Sequence, residues 1–370
     1  MSDTRKTTKP NVPNLRFPGF EGEWENKRIG DIGKFFSGGT PSSSRKDFYG
    51  GEIPFIRSGE IHSDKTELFL TQEGYKNSSA KMVEVGDILL ALYGANSGDI
   101  SISQMRGAIN QAILCIRTNV APVFFKSVWE KHAQKILNTY LQGGQGNLSA
   151  DIVKKITISI PSQIEQAKIA ALFSHLDERI SIQNRLIDRL QSLMIGIAQK
   201  IAHSNKPNVR ISDCLECSSS ALQESEVNKT GKYPVYGANG IVGYIDKYHT
   251  QNEAIYIIKD GSGVGGVSYV TGKCSSTGTL NILQAKNGHS LKYLYYLLKV
   301  FNFVPYKTGM AIPHIYFKDY GKAKIFCPAY PEQLEYAKLL SSIDGNLRIA
   351  LDSLKNFNLQ KQYLLRHMLI

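Results

Sequence analysis

The sequence lacks long apolar runs, and none of its 370 residues lies in a stretch near the ~20 apolar residues that a membrane-spanning helix needs. The first ten residues are polar and basic, and no apolar segment follows them, so we expect no secretory signal peptide. Cysteine is scarce. An odd count of five without a leader predicts reduced thiols and a cytoplasmic location. We therefore expect no membrane partner.

Signatures of catalysis and of cofactor binding are also missing. The sequence contains no phosphate-binding GxxxxGKS or GxxxxGKT motif, no HExxH and no GxSxG, and its eight histidines are scattered. Residues 261–266 satisfy GxGxxG after a predicted strand. A dinucleotide-binding fold needs a helix next and an acidic residue about 20 positions on, but residues 267–270 predict another strand and the first acidic residue after the motif is Asp319. Cys214 and Cys217 form a single CxxC without a second ligand pair or a histidine nearby in the sequence. We expect no catalytic residue, no metal site and no cofactor in this chain.

Acidic residues are absent from two long tracts. None lies between Asp99 and Glu130 or between Asp260 and Asp319, although both tracts contain basic residues. The whole chain has 44 Lys and Arg against 32 Asp and Glu, which gives a formal charge of +12. Basic tracts without acidic residues are typical of proteins that bind a polyanion. The alternative is a solvated basic surface without function; an anionic membrane is disfavoured because no basic amphipathic helix with aromatic anchors is present.

The chain repeats itself after 167 residues. This period is too long for a solenoid, whose units span roughly 20–50 residues, and it indicates a duplicated domain. The matching residues are Gly94, Gly98, Lys155, Ile158, Pro161, Glu165, Gln166, Ala170, Leu172, Ser174, Asp177 and Ile182, which fall on Gly261, Gly265, Lys322, Ile325, Pro328, Glu332, Gln333, Ala337, Leu339, Ser341, Asp344 and Ile349.

Each repeat ends in a strong heptad pattern. Apolar residues recur there with alternating spacings of three and four, interrupted by Gln183 in the first copy and Lys361 in the second. Such a stripe needs a partner helix, and the other copy is the expected partner. The alternative is that these are core helices of two compact domains. The predicted seam comprises Phe173, Leu176, Ile180, Ile187, Leu190, Met194, Ile197 and Ile201 with Leu340, Ile343, Leu347, Ala350, Leu354, Phe357, Leu364 and Met368.

Between the heptads the pattern predicts short strands, glycine-rich loops and one helix in each copy, over about 122–141 in the first and 291–301 in the second. The predicted fold class is α+β, with two similar mixed domains and two long antiparallel helices that form a coiled coil. The predicted ranges are a flexible tail over 1–23, a first domain over 24–160, a long helix over 161–206, a second domain over 207–328 and a second long helix over 329–370.

Loops with hydroxyl, amide and basic side chains are the candidate nucleic-acid contacts. The hydroxyl-rich, basic segment 37–46 could offer donors to phosphates and arginine to a guanine edge, or it could be surface filler. The tetrapeptide YGAN occurs at 93–96 and again at 236–239; its asparagine could read adenine or simply form a turn. The candidates in the first copy are Ser37, Thr40, Ser42, Ser43, Arg45, Lys46, Arg57, Tyr93, Asn96, Arg106, Asn110, Gln145 and Asn147. Those in the second copy are Tyr236, Asn239, Lys259, Ser262, Lys273, Ser275, Ser276, Thr277, Lys307, Thr308 and His314.

Taken together, these segments resemble the DNA-specificity subunit of type I restriction–modification systems. The resemblance covers nearly the whole chain: PNLRFPGF at 13–20 with Trp24, SGGTP at 37–41, VGDIL at 85–89, IPSQIEQ at 160–166 and TGMAIPHI at 308–315. The entry to the first long helix is its most specific part, and residues 331–333 echo it. The second copy departs from the pattern because it has no clear counterpart of segment 37–41.

The resemblance implies a non-catalytic subunit. Each of its two recognition domains would read one half of a split site on double-stranded DNA, with the spacer set by the helices. The family's subunit recruits two methyltransferase subunits, which use S-adenosylmethionine to methylate adenine, and two restriction subunits, which use ATP and magnesium to translocate and cut DNA. A protein-only helical scaffold remains an alternative, and a nucleotide-dependent enzyme is a more distant one.

Overall fold

We analysed a computed structural model of the chain, which describes residues 10–141, 147–203 and 206–370. The chain divides into two compact units. The first comprises the described residues up to Ile182 together with Leu354–Ile370, and the second comprises the described residues of Gln183–Ser353. Both long helices cross this division, so each unit holds part of each helix.

Three sheets form the strand framework of the first unit. The pair β1–β10 is antiparallel, the order β2-β9-β6-β7 is antiparallel throughout, and in β4-β3-β8-β5 the strands β3 and β8 run parallel. The strands are β1 (Glu25–Arg28), β2 (Gly33–Ser37), β3 (Tyr49–Ile56), β4 (Phe69–Leu70), β5 (Lys81–Val83), β6 (Ile88–Ala91), β7 (Ile100–Ile102), β8 (Gly107–Ile109), β9 (Ile113–Thr118) and β10 (Thr157–Ile160). The helices are α1 (Gln72–Lys76), α2 (Pro122–Leu141), α3 (Ala150–Lys155) and the first part of α4 (Gln163–His203).

The second unit repeats this framework with fewer strands. An antiparallel pair β11–β19, a sheet β12-β18-β15-β16 and a sheet β14-β13-β17, in which β13 and β17 run parallel, correspond to the three sheets of the first unit. The strands are β11 (Val209–Arg210), β12 (Leu215–Ser219), β13 (Tyr233–Gly237), β14 (Gly240–Ile245), β15 (Glu253–Ile258), β16 (Val267–Thr271), β17 (Ser275–Ser276), β18 (Leu280–Ala285) and β19 (Lys324–Ile325). The helices are α5 (Ile211–Cys214), α6 (Leu291–Val300), α7 (Phe317–Tyr320) and α8 (Tyr330–Met368).

One buried glutamine fastens the domain to the long helix in each repeat. Gln166 of α4 accepts a hydrogen bond from the Ala121 N–H at 3.2 Å and donates to the Pro161 carbonyl at 2.9 Å. Gln333 of α8 accepts from the Ser290 N–H at 2.8 Å and donates to the Pro328 carbonyl at 2.8 Å. Because both amide groups are satisfied, a buried polar residue is stable at this junction.

The long helices run antiparallel within each unit. In the first unit, Phe173 and Leu176 of α4 share a core with Met368 of α8, and Arg179 lies over the Phe357 ring. Apolar residues at heptad spacing pack in this way because the stripe buries itself only against another helix. The predicted seam residues Phe173, Leu176, Ile187, Met194, Ile201, Leu340, Ile343, Leu347, Ala350 and Met368 are buried, and Ile180, Leu190, Ile197, Leu354, Phe357 and Leu364 are half-buried.

Both polar interruptions of the seam have partners. Gln183 donates to the Ala350 carbonyl of α8 at 2.9 Å. The Lys361 ammonium lies 2.7 Å from an oxygen of Asp177 on α4 and 2.8 Å from one of Glu130 on α2. Polar side chains that are satisfied inside a helix pair favour one register over its neighbours.

The N-terminal segment corrects the expected flexible tail over 1–23. The Arg16 guanidinium donates hydrogen bonds to both oxygens of the buried Glu165 carboxylate, at 2.7 and 2.8 Å. The Leu15 N–H donates to the His367 carbonyl at 2.8 Å, and the Trp24 N–H donates to Asn11 at 2.8 Å. Residues 10–23 are therefore ordered by a bidentate ion pair and backbone bonds that sequence patterns do not reveal, while residues 1–9 lie outside the described part.

Candidate nucleic-acid interface

Segment 37–41 lies along the end of strand β8 in the first unit. The Gly39 N–H donates to the Ile109 carbonyl at 3.2 Å, and a Cβ at Gly38 would overlap that carbonyl. Only glycine therefore permits this close approach. The exposed Thr40 hydroxyl donates to the side-chain oxygen of Gln111, so the loop presents an ordered polar edge.

Two further loops adjoin this edge. The Asn110 N–H donates to the Ile56 carbonyl at 3.3 Å. Arg57 is the next residue along the chain, so its backbone adjoins this edge. The amide nitrogen of the exposed Asn96 lies 3.6 Å from where a Gly59 Cβ would stand. The structure thus brings loop 93–98, segment 57–62 and loop 109–111 together, although they are distant in sequence.

All three predicted arginines of the first unit are already paired. Arg57 binds Glu60 at 3.0 Å and Glu67 at 2.9 Å. Although burial disfavours the charge of Glu60, hydrogen bonds from Arg57 and from backbone N–H groups lower its pKa to about 2. Arg45 pairs with Asp47 at 2.6 Å and Arg106 with Glu84 at 3.1 Å, whereas Lys46 is exposed and has no ion-pair partner among the described residues. Paired arginines have less free charge to offer phosphates than Lys46 has.

The second unit gathers a corresponding set of loops. The Thr277 N–H donates to the Tyr236 carbonyl at 2.9 Å, and the hairpin that follows Tyr236 turns at the exposed Asn239. The Ile315 N–H donates to the Lys259 carbonyl at 2.9 Å, which joins loop 307–315 to the end of β15. YGAN at 236–239 therefore belongs to a β-hairpin, which agrees with the turn interpretation.

Loop 307–314 projects from this set of loops. Its two ends are joined by hydrogen bonds between the backbones of Thr308 and His314, at 2.9 and 2.7 Å. A ring nitrogen of His314 lies 2.7 Å from a carboxylate oxygen of Asp260. Met310 and Ile312 are exposed at its tip, at 106% and 58% of full accessibility. Sequence reasoning missed these apolar residues because it searched the loops only for polar donors.

The glycines at 94 and 98 and those at 261 and 265 build the same turn. All four have positive φ, between +85° and +94°, where a side chain is strained. Gly98 donates its N–H to Ala91 at 2.8 Å, and Gly265 donates to Ile258 at 2.9 Å. The GxGxxG sequence therefore closes the hairpin between β15 and β16, as expected, and no helix follows it to receive a pyrophosphate. This equivalence also shows that the two YGAN sequences occupy different places in the fold.

Three predicted contacts in the second unit are corrected by burial. Ser275 and Ser276 are fully buried and Thr277 is 3% exposed, because β17 pairs in parallel with β13 inside the unit. The Ser275 hydroxyl accepts from the His249 N–H at 3.1 Å, and the Ser276 hydroxyl has no partner among the described residues. These side chains cannot contact DNA in this conformation.

The remaining candidates are distributed around the same loops, and Gln145 lies outside the described residues. Lys307 and Lys273 are exposed, the latter with its ammonium 4.9 Å from the Tyr248 ring. Ser42, Ser43, Asn147, Ser262 and Thr308 are exposed, and Ser37, Tyr93, Asn110, Tyr236, Lys259 and His314 are half-buried.

Within the described ranges, no helix is both long enough and apolar enough to span a bilayer.

The chain belongs to the family of the type I restriction modification DNA specificity domain. The family profile matches residues 21–192 and 204–356, so the chain contains two copies and they cover most of its length. The predicted duplication and the resemblance to specificity subunits are therefore confirmed.

Several known proteins are similar to this chain. The type I restriction enzyme MjaIX specificity subunit of Methanocaldococcus jannaschii is 28% identical over 185 residues, which are 45% of this chain and 42% of that protein. The HindI specificity subunit of Haemophilus influenzae is 28% identical over 188 residues, which are 46% of this chain and 40% of that protein. The matched region thus covers less than half the length of each of these relatives.

Solved structures share the fold. The S subunit of a type I restriction–modification system from M. genitalium covers 97% of this chain and 99% of its own, with a TM-score of 0.72 at 16% identity. A chain from a structure concerning complex assembly and conformational transition of the type I R-M system covers 95% of this chain and 98% of its own, with a TM-score of 0.50 at 16% identity. The predicted α+β fold with two similar domains and two long helices is confirmed.

Proposed function

We propose that this chain is the non-catalytic, sequence-specific DNA-binding subunit of a type I restriction–modification complex. Each repeat would read one half of a split target on double-stranded DNA. The observation that carries this proposal is the matched pair of loop sets. They stand on the same backbone framework but expose different side chains, which suits a protein that reads two different half-sequences.

The recognition mechanism follows from the exposed groups. Lys46 in the first unit and Lys307 in the second would attract phosphates and make binding depend on salt. Thr40, Gln111 and Asn96 would offer hydrogen-bonding groups to base edges, since amide side chains can read adenine through two hydrogen bonds.

The tip of loop 307–314 would add apolar recognition. Met310 and Ile312 stand in solvent at this tip, and an apolar side chain can contact the methyl group of thymine in the major groove. The second half-site would therefore be read partly by shape and apolar contact, whereas the described loops of the first unit expose polar groups.

Catalysis would belong to partner subunits. We infer two methyltransferase subunits that use S-adenosylmethionine and two restriction subunits that use ATP and magnesium. The free thiols of all five cysteines suit the reducing cytoplasm, where the host DNA also lies.

The proposal is tested by genome-wide adenine methylation in a host that expresses this chain with its cognate methyltransferase subunit. We expect a split motif that disappears when the chain is omitted. Exchange of residues 207–328 for the corresponding segment of another family member should alter one half of the motif only. No new methylation by an assembled complex would overturn DNA recognition and favour the protein-only scaffold, and a change in both halves would overturn the modular interpretation.

A further inference from the structure

Two cysteines and one histidine meet in the second unit. Cys214 ends α5, His289 precedes α6, and Cys327 lies between β19 and α8. One ligand atom from each residue lies within 4.8 Å of the other two. Both thiols are buried and free. Cys217, the sequence partner of Cys214 in the CxxC motif, does not belong to this group, which is why the motif alone did not indicate a site.

The imidazole of His289 has an unused donor or acceptor. Its Nδ1 atom is buried and has no hydrogen-bond partner among the described residues. A buried polar atom without a partner is costly and calls for an explanation, such as an ion bound to it. Here that atom belongs to a side chain that already lies beside two thiols, so a shared metal ion would satisfy it.

The first repeat shows that the fold itself does not require polar residues at these places. Gly33 at the start of β2 pairs with Thr118, as Leu215 at the start of β12 pairs with Ala285. Gly33 and Leu215 are therefore equivalent, and the residue before Gly33, Ile32, is the counterpart of Cys214. Ile160 precedes Pro161 as Cys327 precedes Pro328.

The third counterpart follows from the glutamine junction. Gln166 accepts a hydrogen bond from the N–H of the residue after Val120, and Gln333 accepts one from the N–H of the residue after His289. Val120 is therefore the counterpart of His289. The counterparts of the two thiols and the imidazole are therefore two isoleucines and a valine that pack in or against the apolar core. The second repeat has three metal-ligating side chains at positions that the first repeat fills with apolar ones.

We propose that Cys214, His289 and Cys327 bind a thiophilic divalent metal ion of the zinc class. Two thiolates and an imidazole are a donor set that zinc favours, and they leave one position of a tetrahedral ion for a further ligand. The ion would tie the start of the second domain to the loop before α6 and to the entry of α8. It would therefore act as a structural cross-link, and it is independent of the proposed DNA recognition.

The test is metal binding by the reduced full-length chain. We expect about one zinc per chain after purification with zinc and removal of free metal. Cobalt added to the metal-free chain should give the thiolate-to-metal charge-transfer bands and visible bands of a tetrahedral site, and chelation should lower the melting temperature. Cys214→Ala, His289→Ala and Cys327→Ala should each abolish the charge-transfer bands or weaken cobalt binding at least tenfold. Cys217→Ala is the matched control and should bind as the parent does.

A triple variant guards against misfolding of the single variants. Cys214→Ile, His289→Val and Cys327→Ile together reproduce the first repeat, so this variant should fold, bind no cobalt and melt independently of chelator. The proposal is overturned if the parent binds no cobalt, if the triple variant retains binding, or if Cys217→Ala loses it. It is likewise overturned if thiol titration finds a Cys214–Cys327 disulfide in the chain purified under reducing conditions. None of these outcomes depends on DNA, so failure here leaves the proposed function untouched.

Discussion

Replacing Lys361 by methionine tests whether an ion network holds helix α2 to both long helices in the first unit. The Lys361 ammonium contacts Asp177 and Glu130 at 2.7 and 2.8 Å, and the Lys126 ammonium contacts the same two carboxylates at 2.6 and 3.0 Å. The four side chains are only 16–31% exposed. The variant leaves two carboxylates facing one cation.

The expected loss in the free energy of unfolding lies between two limits. Breaking a fully buried pair costs ~3–5 kcal/mol, whereas an exposed pair contributes ~0–1 kcal/mol. The partial exposure of this network places the loss at about 2 kcal/mol. Methionine is tolerated sterically because Met194 stands at the equivalent seam position of α4. At roughly 2–4 °C per kcal/mol, the melting temperature should fall by about 4–8 °C at neutral pH.

The pH dependence gives a second, independent check. Burial alone would raise the pKa of Asp177, but Lys126 and Lys361 hold it below its ordinary value of 3.8. A carboxyl whose pKa is depressed in the folded state contributes stability above its unfolded pKa and loses it as the pH falls through the folded pKa. The difference between parent and variant should therefore be constant near neutrality and shrink below about pH 4.

Thermal denaturation followed by circular dichroism measures both effects. Lys355→Met is the matched control, because Lys355 lies on the same helix, is exposed and has no ion-pair partner among the described residues. A double-mutant cycle with Asp177→Asn should give a coupling energy of about 1–2 kcal/mol. If the Lys361 and Lys355 variants melt alike, or if their difference persists at low pH, the network does not stabilise the unit as argued.

Four other changes address the candidate interface, its framework and the long helices. Lys46→Ala should weaken DNA binding several-fold and reduce the slope of log affinity against log salt by about 1; this is measured by fluorescence anisotropy of the complex, and an unchanged slope would exclude a phosphate contact. Ser276→Ala should leave DNA affinity unchanged and the melting temperature equal or higher, because it removes a buried hydroxyl without a partner; a loss of affinity would contradict the burial of this residue. Gln166→Ala should destabilise the first unit by about 2–3 kcal/mol, since a buried N–H and a carbonyl lose their partner; the melting temperature decides this, and a change within 1 °C would refute it. Insertion of about one helical turn near Gln183, ~4 residues, should lengthen the spacer of the methylated motif without altering either half; unchanged spacing would contradict a helix-set spacer.

The helices and the repeat could be predicted from sequence because their signals are local or recur along the chain. The predicted helix over 122–141 has the bounds observed for α2, and the long helices α4 and α8 fall inside the ranges 161–206 and 329–370. Heptad spacing specifies which face of a helix is buried, and the backbone hydrogen bonds of a helix join residues only four positions apart.

The site could be predicted only as a set of loops. Ser275 and Ser276 looked like polar loop residues, but β17 pairs with a strand about 40 residues earlier and is buried by it. Arg57 was a candidate contact, but it pairs with Glu60, at a spacing of three that sequence can suggest, and with Glu67, ten residues away and beyond such spacings. The Cys214 cluster joins residues from three separate segments. The burial of β17, the Arg57–Glu67 pair and the cysteine cluster share one physical cause, because they depend on contacts between residues whose sequence spacing does not encode them.

The duplication also indicates which parts of the chain can change without refolding it. Leu148 donates its N–H to Leu92 at 2.9 Å, and the equivalent Ile315 donates to Lys259 at 2.9 Å. Together with the paired glutamines and the paired glycine turns, these bonds fix the bases of the loops in both repeats. At one tip, Met310 stands in solvent, and its loop is closed by backbone bonds between its own ends, Thr308 and His314. A substitution at this tip should therefore change what the repeat can contact while the framework bonds remain, so one framework can present two different sets of exposed side chains.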